Sequence, residues 1–393
     1  MTKITIKKGY SEKIREGFPL LTKEMIQQGN IEQEGKVFTA IDPRGQFLAK
    51  GYLGKQNKGS GWLLTWDQNE EIREPLFKNK LEEAVAFRKD FFDDNQTDAF
   101  RLFNGEGDGI GGLTIDHYAG HYLFTWYSTG IYQFRDEILS AFEQILSYKS
   151  IYEKKRFDSK GQYVEDDDFV KGERPDFPLL VKENGAHFAV YLNDGAMTGV
   201  FLDQRNVRKA IRDKYAEGKT VLNTFSYTGA FSVFAALGGA TKTTSVDLAN
   251  RSVPKTIEQF SMNGIDYEAQ DILVRDVFRY FNYCVKNEVK FDLVIMDPPS
   301  FARSKKHTFS ASKDYMNLVK QAIDITEKKG IIVASTNAAS FDMKKFRSFI
   351  DQAFKEKGAR YKIIETFSLP EDFRTTEAYP AGDYLKVCVI QTM

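Results

Sequence analysis

Phe291-Asp-Leu-Val-Ile-Met-Asp-Pro-Pro-Ser-Phe301 is the stretch on which the fold turns. Four apolar residues in succession, Leu293 to Met296, read as a strand buried on both faces, as strands of parallel sheets are. The run stops at Asp297-Pro298-Pro299. Neither proline can donate a main-chain hydrogen bond and each fixes its own φ, so the chain leaves the sheet stiffly, in a set direction. Open α/β sheets bind ligands at that carboxyl edge. Asp297 brings a carboxylate to it, and Phe301 a ring on which a flat base can stack.

From residue 204 onward, helix and strand patterns alternate around this stretch. Strands are expected at 220–224, 242–246, 269–274, 291–296, 330–335, 360–368 and 383–391, with helices at about 204–217, 229–237, 249–263, 276–287, 310–328 and 341–357. The last two strands follow one another without a helix, which predicts an antiparallel hairpin at the edge of an otherwise parallel sheet. The expected fold is a Rossmann-like α/β domain of seven strands with the last reversed.

Three more strand ends carry chemistry. The first runs into Thr224-Phe-Ser-Tyr-Thr-Gly229, a small-residue turn where backbone can approach a ligand closely. The second ends in Asp247, placed to accept from both hydroxyls of a ribose. The third ends in Asp276, placed to accept from an adenine amino group. Either acid could instead cap the next helix. Gly229, Asp247, Asp276 and Asp297-Pro-Pro on four successive strands are hard to obtain from capping alone, and imply a nucleoside cofactor.

Residues 1–72 carry short β-like runs, Ile4–Ile6, Val37–Ile41, Phe47–Tyr52 and Gly61–Trp66, separated by turn signals at Asp42-Pro-Arg-Gly45 and at Gly54 through Ser60. They predict a small β-barrel whose loop 43–60, with Arg44, Lys50, Lys55, Lys58 and no acid, is a candidate RNA contact. Residues 73–177 read as a central α/β domain with helices near 75–93 and 131–147. Glycine-rich Arg101–Gly112 reads as a loop with no apolar strand before it and no helix after it, not a dinucleotide fingerprint, and charged 152–176 as a solvated connection or hairpin. Leu179–Glu183, the Asn184-Gly185 turn and His187–Leu192 form a hairpin, and 178–393 complete the third domain.

Composition narrows the function. Lys+Arg and Asp+Glu both number 55, so any nucleic-acid binding must use local patches and not bulk charge. Cys284 and Cys388 cannot make a disulfide framework or a zinc site, and His117, His121 and His187 lack metal-ligand spacing, so no metal is expected. Without a leader or a long apolar run, the chain reads as cytosolic and not membrane-bound. Nothing excludes a homodimer.

The Asp-Pro-Pro-aromatic pattern resembles motif IV of S-adenosylmethionine-dependent methyltransferases acting on nucleic acid. The order Thr198-Gly199, Phe201-Leu-Asp-Gln-Arg205, Asn223-Thr-Phe-Ser-Tyr-Thr-Gly229, Val246-Asp247, Asp276-Val-Phe278 and Met296-Asp-Pro-Pro-Ser-Phe301 resembles, along the whole chain, a family of bacterial large-subunit ribosomal RNA methyltransferases. The resemblance implies a PUA RNA-binding barrel over 1–72, a class I methyltransferase domain at the C-terminus, and 5-methylation of a 23S rRNA cytosine. It implies that Gln204, Asn223, Phe225, Tyr227, Gly229, Asp247, Asp276 and Asp297 line the S-adenosylmethionine site. Asp297, Pro298, Pro299, Phe301 and Asn337 would hold the target base, while Arg205, Arg44, Lys305 and Lys306 would meet RNA.

One departure bears on mechanism. Cytosine C5 attacks only after a thiolate has added to C6. Where the family places that cysteine, this chain has Thr336, and after the motif IV prolines it has Ser300. Asp297-Pro-Pro-Ser-Phe301 and Ser335-Thr-Asn337 locally resemble the guanine-N7 methyltransferases of 23S rRNA, whose target nitrogen has its own lone pair. A binding protein without turnover and a small-molecule methyltransferase are the other readings. The intact cofactor edge weighs against the first and the N-terminal barrel against the second.

Overall fold

In the computed structural model, which describes residues 2–157, 168–195, 197–303 and 308–393, the chain forms two units. One comprises Met1–Val181, Tyr191–Thr198 and Glu371–Gly382; the other comprises Lys182–Val190, Gly199–Pro370 and Asp383–Met393.

The second unit is built on seven strands: β1 (Thr220–Thr224), β2 (Lys242–Asp247), β3 (Asp271–Val274), β4 (Phe291–Met296), β5 (Thr326–Thr336), β6 (Tyr361–Phe367) and β7 (Lys386–Thr392). Their order is β3-β2-β1-β4-β5-β7-β6. The first five pair in parallel, and β7 lies antiparallel to both β5 and β6. Helices α1 (Ala230–Leu237), α2 (Ser252–Met262), α3 (Val277–Lys286), α4 (Ala311–Asp324) and α5 (Met343–Glu356) cross between strands. Successive side chains of β4 point to opposite faces, and both faces are covered. Val294 and Met296 enter one core with α3, α4 and α5, while Leu293 and Ile295 enter another with the helical segment 205–215 and α1. That double burial, about 1.5–3 kcal/mol for each large aliphatic side chain, is why β4 reads as an unbroken apolar run. The chain winds from β1 out to β3, then returns to place β4 on the other side of β1. The carboxyl ends of β1 and β4 therefore flank a switch point, where such sheets bind ligands.

The first unit holds two sheets. Six strands, Thr2–Ile6, Leu20–Thr22, Ile26–Gln28, Val37–Ile41, Phe47–Gln56 and Gly59–Thr65, form the first. Its two edge strands are Leu20–Thr22 and Ile26–Gln28, joined by only Lys23–Met25, so the sheet curls until its edges approach. The turn expected over Gly54–Ser60 shrinks to Asn57 and Lys58, with Gln56 facing Gly59 across the ladder. The second sheet uses Ala99–Asn104, Leu113–Tyr118, His121–Trp126, Ser150–Lys155 and Phe169–Gly172. One expectation fails here: a strand, Ala99–Asn104, leads directly into the glycines. For 152–176 the hairpin alternative holds and the solvated connection does not, since Ser150–Lys155 pairs antiparallel with Phe169–Gly172 and parallel with His121–Trp126 on its other side. Lys154 can lie there because its ammonium meets Asp168 at 2.9 Å, both side chains withdrawn from water.

Candidate functional site

The loop leaving β1 departs from ordinary backbone conformations. Phe225, Tyr227 and Gly229 have φ of 55°, 51° and 77°. For the two aromatic residues this costs on the order of 1–2 kcal/mol each, and the surroundings hold them there. Ser226 N–H donates to the Val246 carbonyl at 3.1 Å and Gly229 N–H to that of Ser226 at 2.8 Å, while the Thr228 hydroxyl donates to the Gly199 carbonyl at 2.6 Å. A Cβ on Gly229 would come 2.5 Å from Thr256 Cγ2 on α2. The glycine thus serves the turn and the helix packing, a reason different from the ligand approach read from sequence.

Asp247, at the end of β2, accepts from Tyr227 N–H through Oδ2 and from Ala249 N–H through Oδ1, each at 2.9 Å. It therefore anchors the strained loop, and a carboxylate with about four acceptor sites still has room for a ribose. Asp276 caps α3, accepting from Arg279 N–H at 3.0 Å. Phe225 stands 6.2 Å from Phe278 and 6.5 Å from Phe309, an apolar wall beside these acids. Two buried amides complete this edge. Asn223 donates to Ser232 Oγ at 3.0 Å and Gln204 to Ser335 Oγ at 2.7 Å. Their carbonyl oxygens, Asn223 Oδ1 and Gln204 Oε1, are buried with no partner among the described residues.

At the end of β4, Asp297 keeps a little exposed surface, yet its carboxyl is pushed up to about 6. Burial is the main cause and the nearby Asp203 carboxylate the next; hydrogen bonds from Ser335 and Gln204 and the charge of Arg208 pull the other way. Asp203 in turn accepts from the Tyr384 hydroxyl at 3.0 Å. Pro298 is buried, Pro299 exposed, and Phe301 is 63% exposed. From Phe301 the chain enters a two-stranded ribbon, Phe301–Arg303 against Thr308–Ser310. Asn337, exposed just beyond β5, accepts from the Ser300 hydroxyl at 2.5 Å.

The structure thus gathers Gln204, Asn223, Phe225, Tyr227, Gly229, Asp247, Asp276, Asp297, Pro298, Pro299, Phe301 and Asn337 along the carboxyl ends of β1 to β5. Four RNA expectations fare differently. Arg205 is only 3% exposed, so it cannot meet a phosphate where it stands. Arg44 is exposed on a turn of the first unit. Lys305 and Lys306 lie outside the described residues. Lys50, counted with the basic loop, is buried with its ammonium on the Glu70 carbonyl at 2.7 Å. Asp203, Ser335 and Tyr384 were given no role by the sequence reading; Asp203 and Ser335 stood in view, in Phe201-Leu-Asp-Gln-Arg205 and Ser335-Thr-Asn337. Both cysteines are fully buried. Among the described residues no group of three or more His, Cys, Asp and Glu could hold a metal ion, and no helix is long and apolar enough to cross a membrane.

The donor set suits S-adenosylmethionine. Two orphaned buried carbonyl oxygens call for N–H donors such as an α-ammonium, and acids at the ends of β2 and β3 suit a ribose and an adenine. A family model for S-adenosylmethionine-dependent methyltransferases matches residues 149–382, and the chain belongs to that family. A PUA-like domain model matches residues 4–66. Among relatives, the chain is 60% identical, over the full length of both, to YwbD of Bacillus subtilis, named as a candidate ribosomal RNA large subunit methyltransferase. It is 31% identical to ribosomal RNA large subunit methyltransferase I of Alteromonas mediterranea, covering 91% of this chain and 90% of that one. The crystal structure of SMU.776, described as a candidate methyltransferase complexed with SAH, superposes with a TM-score of 0.92 at 39% identity over the whole of both chains.

Proposed function

We propose that this chain methylates a base of 23S rRNA by direct displacement, with guanine N7 as the target atom. The names of its relatives support the rRNA substrate, which would place its action in the cytoplasm. The observation that carries the target atom is the state of the sulfur. Cys284 and Cys388 are fully buried, burial raises both thiols, and that of Cys388 reaches about 11. Thr336, at the position of the expected nucleophile, is buried as well, its hydroxyl oxygen accepting from Ala338 N–H at 3.3 Å. Cytosine C5 needs a thiolate at the base, whereas guanine N7 carries its own lone pair and releases no proton on methylation.

Bound at the carboxyl edge, S-adenosylmethionine supplies a methyl group on a positively charged sulfur, open to attack by that lone pair. The chain's own contribution is position. Gln204, Asn223, Tyr227, Asp247 and Asp276 would hold the cofactor, and Phe225 would offer its adenine an apolar face. Phe301 stacks the base, Pro298 and Pro299 stiffen the turn that carries it, and Asp297 accepts from its ring and exocyclic N–H groups. The PUA-like region contributes RNA affinity through Arg44 and Lys58, exposed on its turns, and Lys55, exposed near the end of the strand Phe47–Gln56. In functional terms 1–72 would grip RNA, 73–177 would support it, and 178–393 would carry the chemistry.

Nucleoside mass spectrometry of 23S rRNA from cells with and without the protein tests this. The expected result is loss of one 7-methylguanosine. Loss of a 5-methylcytidine instead would overturn the target atom, and an unchanged profile the substrate.

A further inference from the structure

We propose that Ser300 is a positioning residue that turns Asn337 into a reader of guanine, presenting its amide NH2 to the exocyclic oxygen O6 beside the attacking N7. This rests on the guanine-N7 reading and adds how the base is chosen.

The argument starts from a side-chain amide, which has a carbonyl acceptor at one end and an NH2 donor at the other. Either end can face a ligand unless a neighbour takes one. Here the Ser300 hydroxyl donates to Asn337 Oδ1 at 2.5 Å, which turns the carbonyl end toward Ser300 and the NH2 end away from it. Asn337 is exposed, and its Nδ2 has no partner among the described residues. Both residues are themselves held. The Ser300 carbonyl accepts from Ala311 N–H at 3.0 Å, at the start of α4. The turn containing Asn337 is tied by Thr336 Oγ1, which accepts from Ala338 N–H. Thr336, which stands where a nucleophile is expected, thus spends its oxygen on placing the next residue. The exposed Phe301 ring follows Ser300 directly, so a stacking surface and an outward-facing donor sit at neighbouring strand ends.

A donor fixed at this place discriminates among bases by what lies next to the reacting atom. Beside guanine N7 is O6, an acceptor. Beside adenine N7 is the N6 amino group, and beside cytosine C5 is the N4 amino group, both donors. Asn337 Nδ2 pairs with the first and is set against the other two.

The test uses the full-length chain with 23S rRNA and 50S particles from cells lacking the protein. It compares wild type, Ser300→Ala, Ser300→Thr, Asn337→Ala and Asn337→Asp. Product identity is read by nucleoside mass spectrometry, kcat and KM for RNA by methyl incorporation, and S-adenosylmethionine affinity and thermal stability by calorimetry. Ser300→Ala is expected to lower kcat/KM about 10-fold, the scale of one lost neutral hydrogen bond, and Ser300→Thr, which keeps the hydroxyl, to restore it. Asn337→Ala should lose about 10-fold, and Asn337→Asp, which sets a carboxylate against O6, about 100-fold or more. Cofactor affinity should stay within twofold in all four. Wild-type 7-methylguanosine with Ser300→Ala and Asn337→Asp both as active as wild type overturns the inference alone. A loss in Ser300→Ala that Ser300→Thr does not relieve, or that comes with loss of cofactor affinity, overturns the positioning role. A wild-type product other than 7-methylguanosine overturns the reading beneath it.

Discussion

The first unit and the carboxyl edge of the seven-stranded sheet both bury charged and polar groups, and they treat them in opposite ways. In the first unit, the buried charges are given partners. Arg88, fully buried, reaches both Asp108 oxygens at 2.7 Å, and also donates to the carbonyls of Ala84, Arg101 and Asp372. Arg101 pairs with Asp116 at 2.5 Å, and Asp372 accepts from Arg101 N–H at 2.7 Å. At the sheet edge, Gln204 Oε1, Asn223 Oδ1 and Thr256 Oγ1 are buried without partners among the described residues. There Asp297 sits beside a second acid, and two aromatic residues hold left-handed backbone. The first unit also leaves Gln56 Oε1 and His117 Nδ1 orphaned, so the contrast is one of concentration. Polar groups that only build structure are satisfied within the chain, whereas those meant for a ligand are left needing one.

The largest effect that sharpens this comparison belongs to Arg88. Arg88→Ala strands Asp108 in a dry site, and removing one partner of a buried pair costs roughly 3–5 kcal/mol. The expected outcome is a large fall in thermal stability of the first unit with S-adenosylmethionine affinity unchanged. A variant that melts like wild type would mean that the network is decorative. Asp247→Ala is the counterpart at the site. It removes the proposed ribose acceptor and one anchor of the strained loop, and calorimetry should show affinity weaker by about 1.5–3 kcal/mol. Unchanged cofactor affinity would break the ribose assignment.

How much of this was readable in advance follows the same division. Strands β1 and β4 fall on the expected residues, because a doubly buried parallel strand writes an apolar run with sharp ends. Asp247, Asp276 and Asp297 were readable as edge residues because they close such runs. Their second duties divide. That Asp276 caps α3 is a local contact and one of the two roles its position allowed; that Asp247 ties down Tyr227 and that Gly229 leaves room for Thr256 are contacts made across the fold. Charged residues misled in one direction. Lys50, Lys154 and Arg205 read as solvent-facing, yet each is buried. For the two lysines the partners that permit it, the Glu70 carbonyl and Asp168, come from other elements of the chain. The three-residue strands Leu20–Thr22 and Ile26–Gln28 are too short to show a period, and Arg101 interrupts the apolar pattern of Ala99–Asn104.

A smaller effect concerns pH. Asp297 titrates near 6 in the folded chain, above the usual carboxylate value of 3.8. Because the fold favours its protonated form, its contribution to stability is lost as pH rises from about 4 through 6. In the proposed mechanism function runs the other way, since only the carboxylate can accept from the base through both oxygens. Methylation should therefore fall about tenfold per pH unit below 6. Asp203→Asn, which removes the neighbouring charge, should move that limb to lower pH, and Asp297→Asn should abolish it along with most of the rate. A single-turnover profile that is flat between pH 5 and 7 in the wild type would separate Asp297 from the chemistry and return it to the satisfied, structural class.

The smallest expected effect is none, and it decides the mechanism. Cys284 on α3 and Cys388 in β7 belong by this comparison with the structural groups. Both are buried at 0% exposure, and Cys388 Sγ lies 3.8 Å from Met343 Sδ. Burial pushes the Cys388 thiol up to about 11 against the pull of Arg347. At that value only on the order of 1 in 3,000 is thiolate near pH 7.5, and the thiolate alone is the nucleophile. Cys284 is raised in the same direction, burial again outweighing Tyr280 and Arg275. Cys284→Ala and Cys388→Ala should each leave the methylation rate within about twofold, since neither sulfur reaches the base in a positional mechanism. The stricter measurement is 23S rRNA substituted with 5-fluorocytidine, which traps any cysteine added to C6. No covalent protein–RNA band should form. A band that vanishes in either alanine variant would show a thiol brought out of the core to attack, and would move the target from guanine N7 to cytosine C5.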